Sequence, residues 1–104
     1  MKEETAVVLT SAQRRYLKRL AHHLKPLLQM GKEGPSAGFI AGLEDQVGVH
    51  ELVKIRILNN CEHSRDEIEA AIGAVGVTVV QKVGHVYTVF WQRQEDSQLT
   101  LPTK

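Results

Sequence analysis

The chain has 104 residues, of which 42% are hydrophobic and 24% charged, and it carries a formal net charge of +1. That composition fits one globular domain with its own core and excludes a low-complexity chain, while the single cysteine, Cys61, excludes an intramolecular disulfide and agrees with a reducing compartment. Met1 to Thr5 is acidic and leads only into the short apolar stretch Ala6 to Leu9, so neither a secretory signal nor a membrane span is expected, and the expected setting is cytoplasmic.

The small total charge conceals a division along the chain. Residues 1–32 hold seven Lys or Arg against two acids, and the other 72 hold six against ten, so a segment of charge +5 precedes one of charge −4. A basic half of this kind is the footprint of a polyanion partner, and the acidic half would repel the same partner and so choose the docking face.

In chain order, Thr10-Ser11-Ala12-Gln13 has the spacing of a capping box, and Leu17, Leu20, Ala21 and Leu24 then recur at i, i+3, i+4 and i+7. This predicts an amphipathic helix over 11–23. Its outer face is cationic, with Arg14 above Lys18, Arg15 above Arg19, and His22 and His23 in the last turn, where they would gain charge below neutral pH. Lys25 to Met30 reads as a short strand, and Pro26, lacking a ladder donor, places it at a sheet edge.

Gly31-Lys32-Glu33-Gly34 then breaks the strand before a helix over 36–48 with an apolar stripe of Phe39, Ile40, Leu43 and Val47. Two glycines permit a tight turn and a close backbone approach, the helix start offers N–H groups, and Lys32 adds a point charge, which together suit a phosphate. Taken alone, such a loop is equally a turn that uses glycine for backbone freedom.

From Leu52 to Leu58 the chain alternates, with Val53, Ile55 and Ile57 facing one way and Lys54 and Arg56 the other, so one sheet face is expected to be wet and basic. Ser64-Arg65-Asp66-Glu67 is a second capping box, opening a helix with a buried stripe of Ile68, Ala71, Ile72 and Val75. Val77 to Val83 and Val86 to Trp91 are strands joined at Gly84-His85. The polar tail from Gln92 onward is expected to be loose. The implied fold is α/β in composition and α+β in layout: a two-layer arrangement of three helices on a mixed four-stranded sheet, with the last two strands antiparallel.

The segments LTSAQRRYLKRLAHHLKPLLQMGKEG, HELVKIRIL and DEIEAAIGAVG, with the aromatic last strand and the late Leu101-Pro102, resemble the CRM domain, named for chloroplast RNA splicing and ribosome maturation, and in particular its small stand-alone bacterial YhbY-like members. The resemblance runs from Leu9 to Pro102 and implies a single domain over 9–102 behind a short extension, 1–8. It implies sheet order 1-2-4-3 with strand four antiparallel to the rest, similar to the C-terminal domain of translation initiation factor three. It also implies RNA binding, association with the precursor of the large ribosomal subunit, and RNA contact by Gly31, Lys32 and Gly34. Glu33 departs from a fully basic loop by placing a carboxylate at the tip.

The residues expected to bind RNA are therefore Gly31, Lys32, Gly34, Arg14, Arg15, Lys18, Arg19, His22, Lys25, Lys54 and Arg56. An enzyme, a cofactor and a metal are not expected. His22 and His23 point about 100° apart on a helix, and Cys61-Glu62-His63 lacks both a second ligand cluster and an electropositive pocket. His50 and His85 read as strand-end or turn residues. Tyr87, Val89 and Trp91 share one strand face, which favours packing over base stacking. The expected molecule is a monomer without a membrane or small-molecule partner. The rival reading is a protein-interaction module that docks the acidic helix residues Asp66, Glu67 and Glu69 on a basic ribosomal protein.

Overall fold

A computed structural model of the chain describes residues 9–92. The extension 1–8 and the tail beyond Gln92, including Leu101-Pro102, lie outside the described residues. The elements are α1 (Ser11–Ala21), β1 (Leu28–Met30), α2 (Ala37–His50), β2 (Leu52–Ile57), α3 (Arg65–Ala74), β3 (Thr78–Val83) and β4 (Val86–Phe90). They form one four-stranded sheet in the order β1-β2-β4-β3, parallel between β1 and β2 and antiparallel elsewhere, with β1 at an edge as expected, although Pro26 precedes the strand rather than opening it. No helix among the described residues is long and apolar enough to cross a membrane.

Both capping boxes form. Thr10 Oγ1 accepts from the Gln13 N–H at 3.1 Å while Gln13 Oε1 accepts from the Thr10 N–H at 3.0 Å, and Ser64 and Glu67 repeat the exchange at α3. Two elements are shorter than their patterns predict. The helix α1 ends at Ala21, capped by His22, so Leu24 falls past the helix and is 39% exposed rather than completing the stripe. The strand β1 starts only at Leu28, because Leu27 is the first residue whose N–H reaches β2, donating to Lys54 O at 3.1 Å. At the end of α2, Glu51 turns the chain into β2 with φ 65°, a left-handed conformation uncommon outside glycine. Its N–H closes on Val47 O and its carbonyl accepts from Trp91 N–H, each at 2.9 Å.

The alternation along β2 holds. Val53, Ile55 and Ile57 join Leu43 and Val47 of α2, Ile68 and Ile72 of α3, and Tyr87 and Val89 of β4 in the main core, against which Trp91 packs. The opposite sheet face is wet only in part. Leu52, Phe90 and Val80 point outward there and are covered by Leu17 and Ala21 of α1, with Leu9 beside them. Thus α2 and α3 make the layer beneath the sheet, and α1 lies over one end of the other side because three large apolar side chains emerge at that end.

A β-bulge fixes where α1 sits. The pairing steps from Val79↔Val89 to Gln81↔Thr88, leaving Val80 as the extra residue, which turns its side chain toward α1. The Arg14 guanidinium donates through Nη1 to Val79 O at 3.2 Å and to Val80 O at 2.6 Å, tying the helix to the bulge. On the other side of the sheet, Glu69 of α3 accepts from Lys82 Nζ at 2.8 Å and from the Tyr87 hydroxyl at 3.1 Å.

Two predictions follow from these ties. Arg14→Met keeps the side-chain stem and removes both bonds, so urea unfolding should show a loss of about 1.5–3 kcal/mol at unchanged slope. The Lys82 ammonium holds the Glu69 carboxyl below its ordinary value of 4.5, with burial opposing and the Tyr87 hydroxyl assisting. A carboxylate with a lowered folded pKa contributes stability that is complete above its unfolded value and is lost as pH falls through the lower folded one. Wild type should therefore lose more stability than Glu69→Gln when the urea midpoint is followed from neutral pH to below 4.5.

Candidate nucleic-acid interface

Because α1 covers only one end of the outer sheet face, the rest of that face and the flank of α1 form the two sides of a groove of about 780 Å³. The helix contributes Arg15, Lys18, Arg19 and His22, spaced i, i+3, i+4 and i+7 and so aligned along one flank. His23 meets the His22 ring edge-on at 5.3 Å between centroids, and Pro26 closes that end.

The sheet contributes two cross-strand rows. Lys54 pairs with Thr88 and Thr88 with Gln81; Arg56 pairs with Val86 and Val86 with Val83. The next row, Leu52 with Phe90 and Thr78, is the one beneath α1. Burial changes along the strand accordingly, from buried Leu52 through half-buried Lys54 to exposed Arg56.

Among the described residues five cations from two elements line this groove and no Asp or Glu does. Among the described residues none of the five takes part in a salt bridge, and Arg19 lies 6.0 Å from the Tyr16 ring centroid. Like charges gathered without counter-charges repel one another and reduce stability. The arrangement favours an anion with several charges spread along its length.

The structure thus brings together six of the expected residues: Arg15, Lys18, Arg19, His22, Lys54 and Arg56. Arg14 does not line the groove; its guanidinium donates to the bulge carbonyls and ties α1 to the sheet. Lys25 is exposed on the connection after α1 and does not line the groove. The reading from sequence placed His23 beside the basic helix face without counting it among the binding residues, and it omitted Pro26, Gln81, Val83, Val86 and Thr88. The signal for Val86 and Thr88 was present, because the alternation that sends Tyr87 and Val89 inward must send their neighbours outward.

The Gly31–Gly34 loop stands outside the groove, beyond β1, whose Gln29 pairs with Arg56. The Gly34 N–H donates to Gly31 O at 2.9 Å, closing a turn with Lys32 and Glu33 exposed at its tip. The two glycines have different reasons. Gly34 has φ 61°, and a Cβ there would collide with the His63 ring; Gly31 is outside the left-handed region, and a Cβ there would meet Asn60 Oδ1 at an ordinary 3.7 Å. The expectation that both glycines serve a tight turn therefore holds for Gly34 alone. Ser36 Oγ takes the Phe39 N–H at 3.1 Å, so the N–H groups left at the start of α2 are those of the exposed Ala37 and Gly38.

Elsewhere, Cys61 packs half-buried against the main core, and among the described residues no group of three or more His, Cys, Asp or Glu is gathered as metal ligands would be. Of the acids on α3, Glu67 is held by the Ser64 cap and lies 3.6 Å from His63, and Glu69 is held by Lys82 and Tyr87.

Fold and groove define a small α+β domain with one concave cationic side. The chain belongs to the CRS1/YhbY (CRM) domain family, whose profile matches residues 9–91. It is similar to the Bacillus subtilis protein named "Probable RNA-binding protein YqeI", at 32% identity over 96 residues that cover 91% of this chain and 100% of that one. It is similar also to a Haemophilus influenzae protein named "RNA-binding protein", at 31% identity over 92% of this chain and 97% of the other. The solution structure of the protein SAV1595 from Staphylococcus aureus superposes with a TM-score of 0.70 at 28% identity, covering 91% of this chain and 100% of that one.

The glycines can be told apart by substitution. Gly34→Ala should lower stability by about 1–2 kcal/mol from the left-handed backbone alone, with more from the His63 ring. Gly31→Ala should be neutral or stabilising by up to about 1 kcal/mol. Urea midpoints of the two variants, and of Gly34→Ala combined with His63→Ala to separate the collision from the backbone strain, check this.

Proposed function

We propose that this protein binds RNA along the groove between α1 and the open rows of the sheet, and that its RNA is the precursor of the large ribosomal subunit, whose assembly it assists. The observation that carries the reading is the groove itself, which among the described residues has five cations on two facing walls and no carboxylate. The names of the relatives in Bacillus subtilis and Haemophilus influenzae support RNA as the ligand class. The Gly31–Gly34 loop adds a flanking contact, in which exposed Lys32 and the N–H groups of Ala37 and Gly38 meet a phosphate beyond the Arg56 end of the groove. In this reading the protein is a cytoplasmic monomer that binds without catalysis and without a cofactor.

The rival, a module docking α3 on a basic protein, is weakened because Glu67 and Glu69 are engaged within the chain. Ribosomal RNA stripped of protein separates the two readings, since an α3-docking module would not bind it.

Arg15 and Lys18 changed together to Ala should reduce the magnitude of the slope of log affinity against log salt by about 1.4–1.8, at about 0.7–0.9 per lost phosphate contact. Arg65→Ala should leave the slope unchanged, since that side chain lies over the Tyr87 ring and beside His85. Equal losses at both places, measured by anisotropy on precursor ribosomal RNA, would sink the groove reading. Lys32 and Glu33 changed together to Asp test the flanking contact: folding should survive at this exposed tip and affinity should fall at every RNA sequence tried, because phosphate contacts position without reading bases.

A further inference from the structure

The groove is cationic on its walls but not on its floor. Its cations lie on the α1 flank and on β2, while on β4 and β3 the Arg56 row continues as Val86 and Val83, and Val83 is 60% exposed. Exposed valines on the open side of a basic concavity offer a ligand apolar surface and contribute nothing to holding phosphate. A ligand that meets both must be charged along its length and apolar along its other side.

A duplex does not have that cross-section. Its bases are turned inward, and it presents phosphates and ribose hydroxyls to a protein. It is also a broad rod, whereas this groove is a wedge between a sheet and a single helix packed directly on it, a wall about 10 Å high. An unpaired strand has both properties, phosphates on one side and flat base and ribose faces on the other. Resting on the proposal that the groove binds RNA, we infer that it takes an unpaired strand in preference to a duplex, with bases or riboses on the Val83–Val86 floor and phosphates along the two walls.

The floor also says how such a strand is read. Gln81 offers a polar group to a base edge, but Thr88, Tyr87 and Phe90 are buried and Trp91 packs against the core, so among the described residues no Phe, Tyr or Trp ring lines the groove. Without an aromatic platform the strand is held by its backbone and by apolar contact, and sequence preference is weak.

The test compares a labelled oligouridylate with a duplex of equal length at one salt concentration, for wild type, Val83→Ser and Lys54→Ala. The single strand should bind about tenfold tighter than the duplex, and Val83→Ser should weaken it about threefold to tenfold. Because Val83→Ser removes no phosphate contact its salt slope should match wild type, whereas Lys54→Ala should lower the magnitude of the slope by about 0.7. Equal or tighter binding of the duplex, or an unchanged single-strand affinity in Val83→Ser, overturns the inference. If Lys54→Ala still lowers the slope in that event, the groove remains the RNA site and only the preference for an unpaired strand is lost. Insensitivity of both RNA forms to Lys54→Ala, or tighter binding of a polyglutamate peptide than of either RNA, overturns both readings.

Discussion

The seat of α1 on the sheet is the contact from which the rest of the outer surface follows. Leu17 and Ala21 need apolar cover, and the outer sheet face provides it in one place, where Leu52, Phe90 and Val80 emerge together. Arg14 then fixes the helix against the bulge that presents Val80. A helix held over that row cannot also cover the next two, so Lys54 and Arg56 remain open and face Arg15, Lys18 and Arg19 across a gap. The same apolar contact that stabilises the fold therefore brings together charges that would otherwise move apart, and the packing of α1 opposes their repulsion.

Much of this was legible before any coordinates, and the exceptions have physical reasons. The capping boxes at Thr10 and Ser64 and the alternation of Val53, Ile55 and Ile57 are local signals, and each formed as expected. Nothing local distinguishes Arg14, which ties α1 to the sheet, from Arg15, which lines the groove: the bulge carbonyls that Arg14 serves lie 65 and 66 residues away in the chain. The cover over part of the expected wet sheet face has a similar cause, since Leu52 and Phe90 become a row only when β2 pairs with β4. Glu51 carried no signal at all, as glutamate is not a residue that turn chemistry selects for a positive φ.

The glycine loop shows how one motif can hold two unlike positions. Its spacing suggests two glycines serving one tight turn alike, whereas Gly34 is required by its backbone and by the His63 ring, and Gly31 by neither. The loop is thereby fastened to the segment after β2, with its tip left free. The groove, in contrast, draws cations from both halves of the charge-divided chain. Lys54 and Arg56 lie in the net-acidic segment, so a count along the sequence understates how basic the assembled surface is.

The bulge has a further consequence for how copies of this chain coexist in solution. β3 is the outer strand on its side of the sheet, and an outer strand with open carbonyls is a template on which another chain can add a strand of its own. Here the Val79 and Val80 carbonyls are occupied by a guanidinium from the chain's own helix, and the bulge breaks the regular spacing an incoming strand would have to match. The residue that seats α1 thus also guards the sheet against edge-to-edge aggregation, a protection that depends on α1 remaining docked and lapses when the helix lifts away.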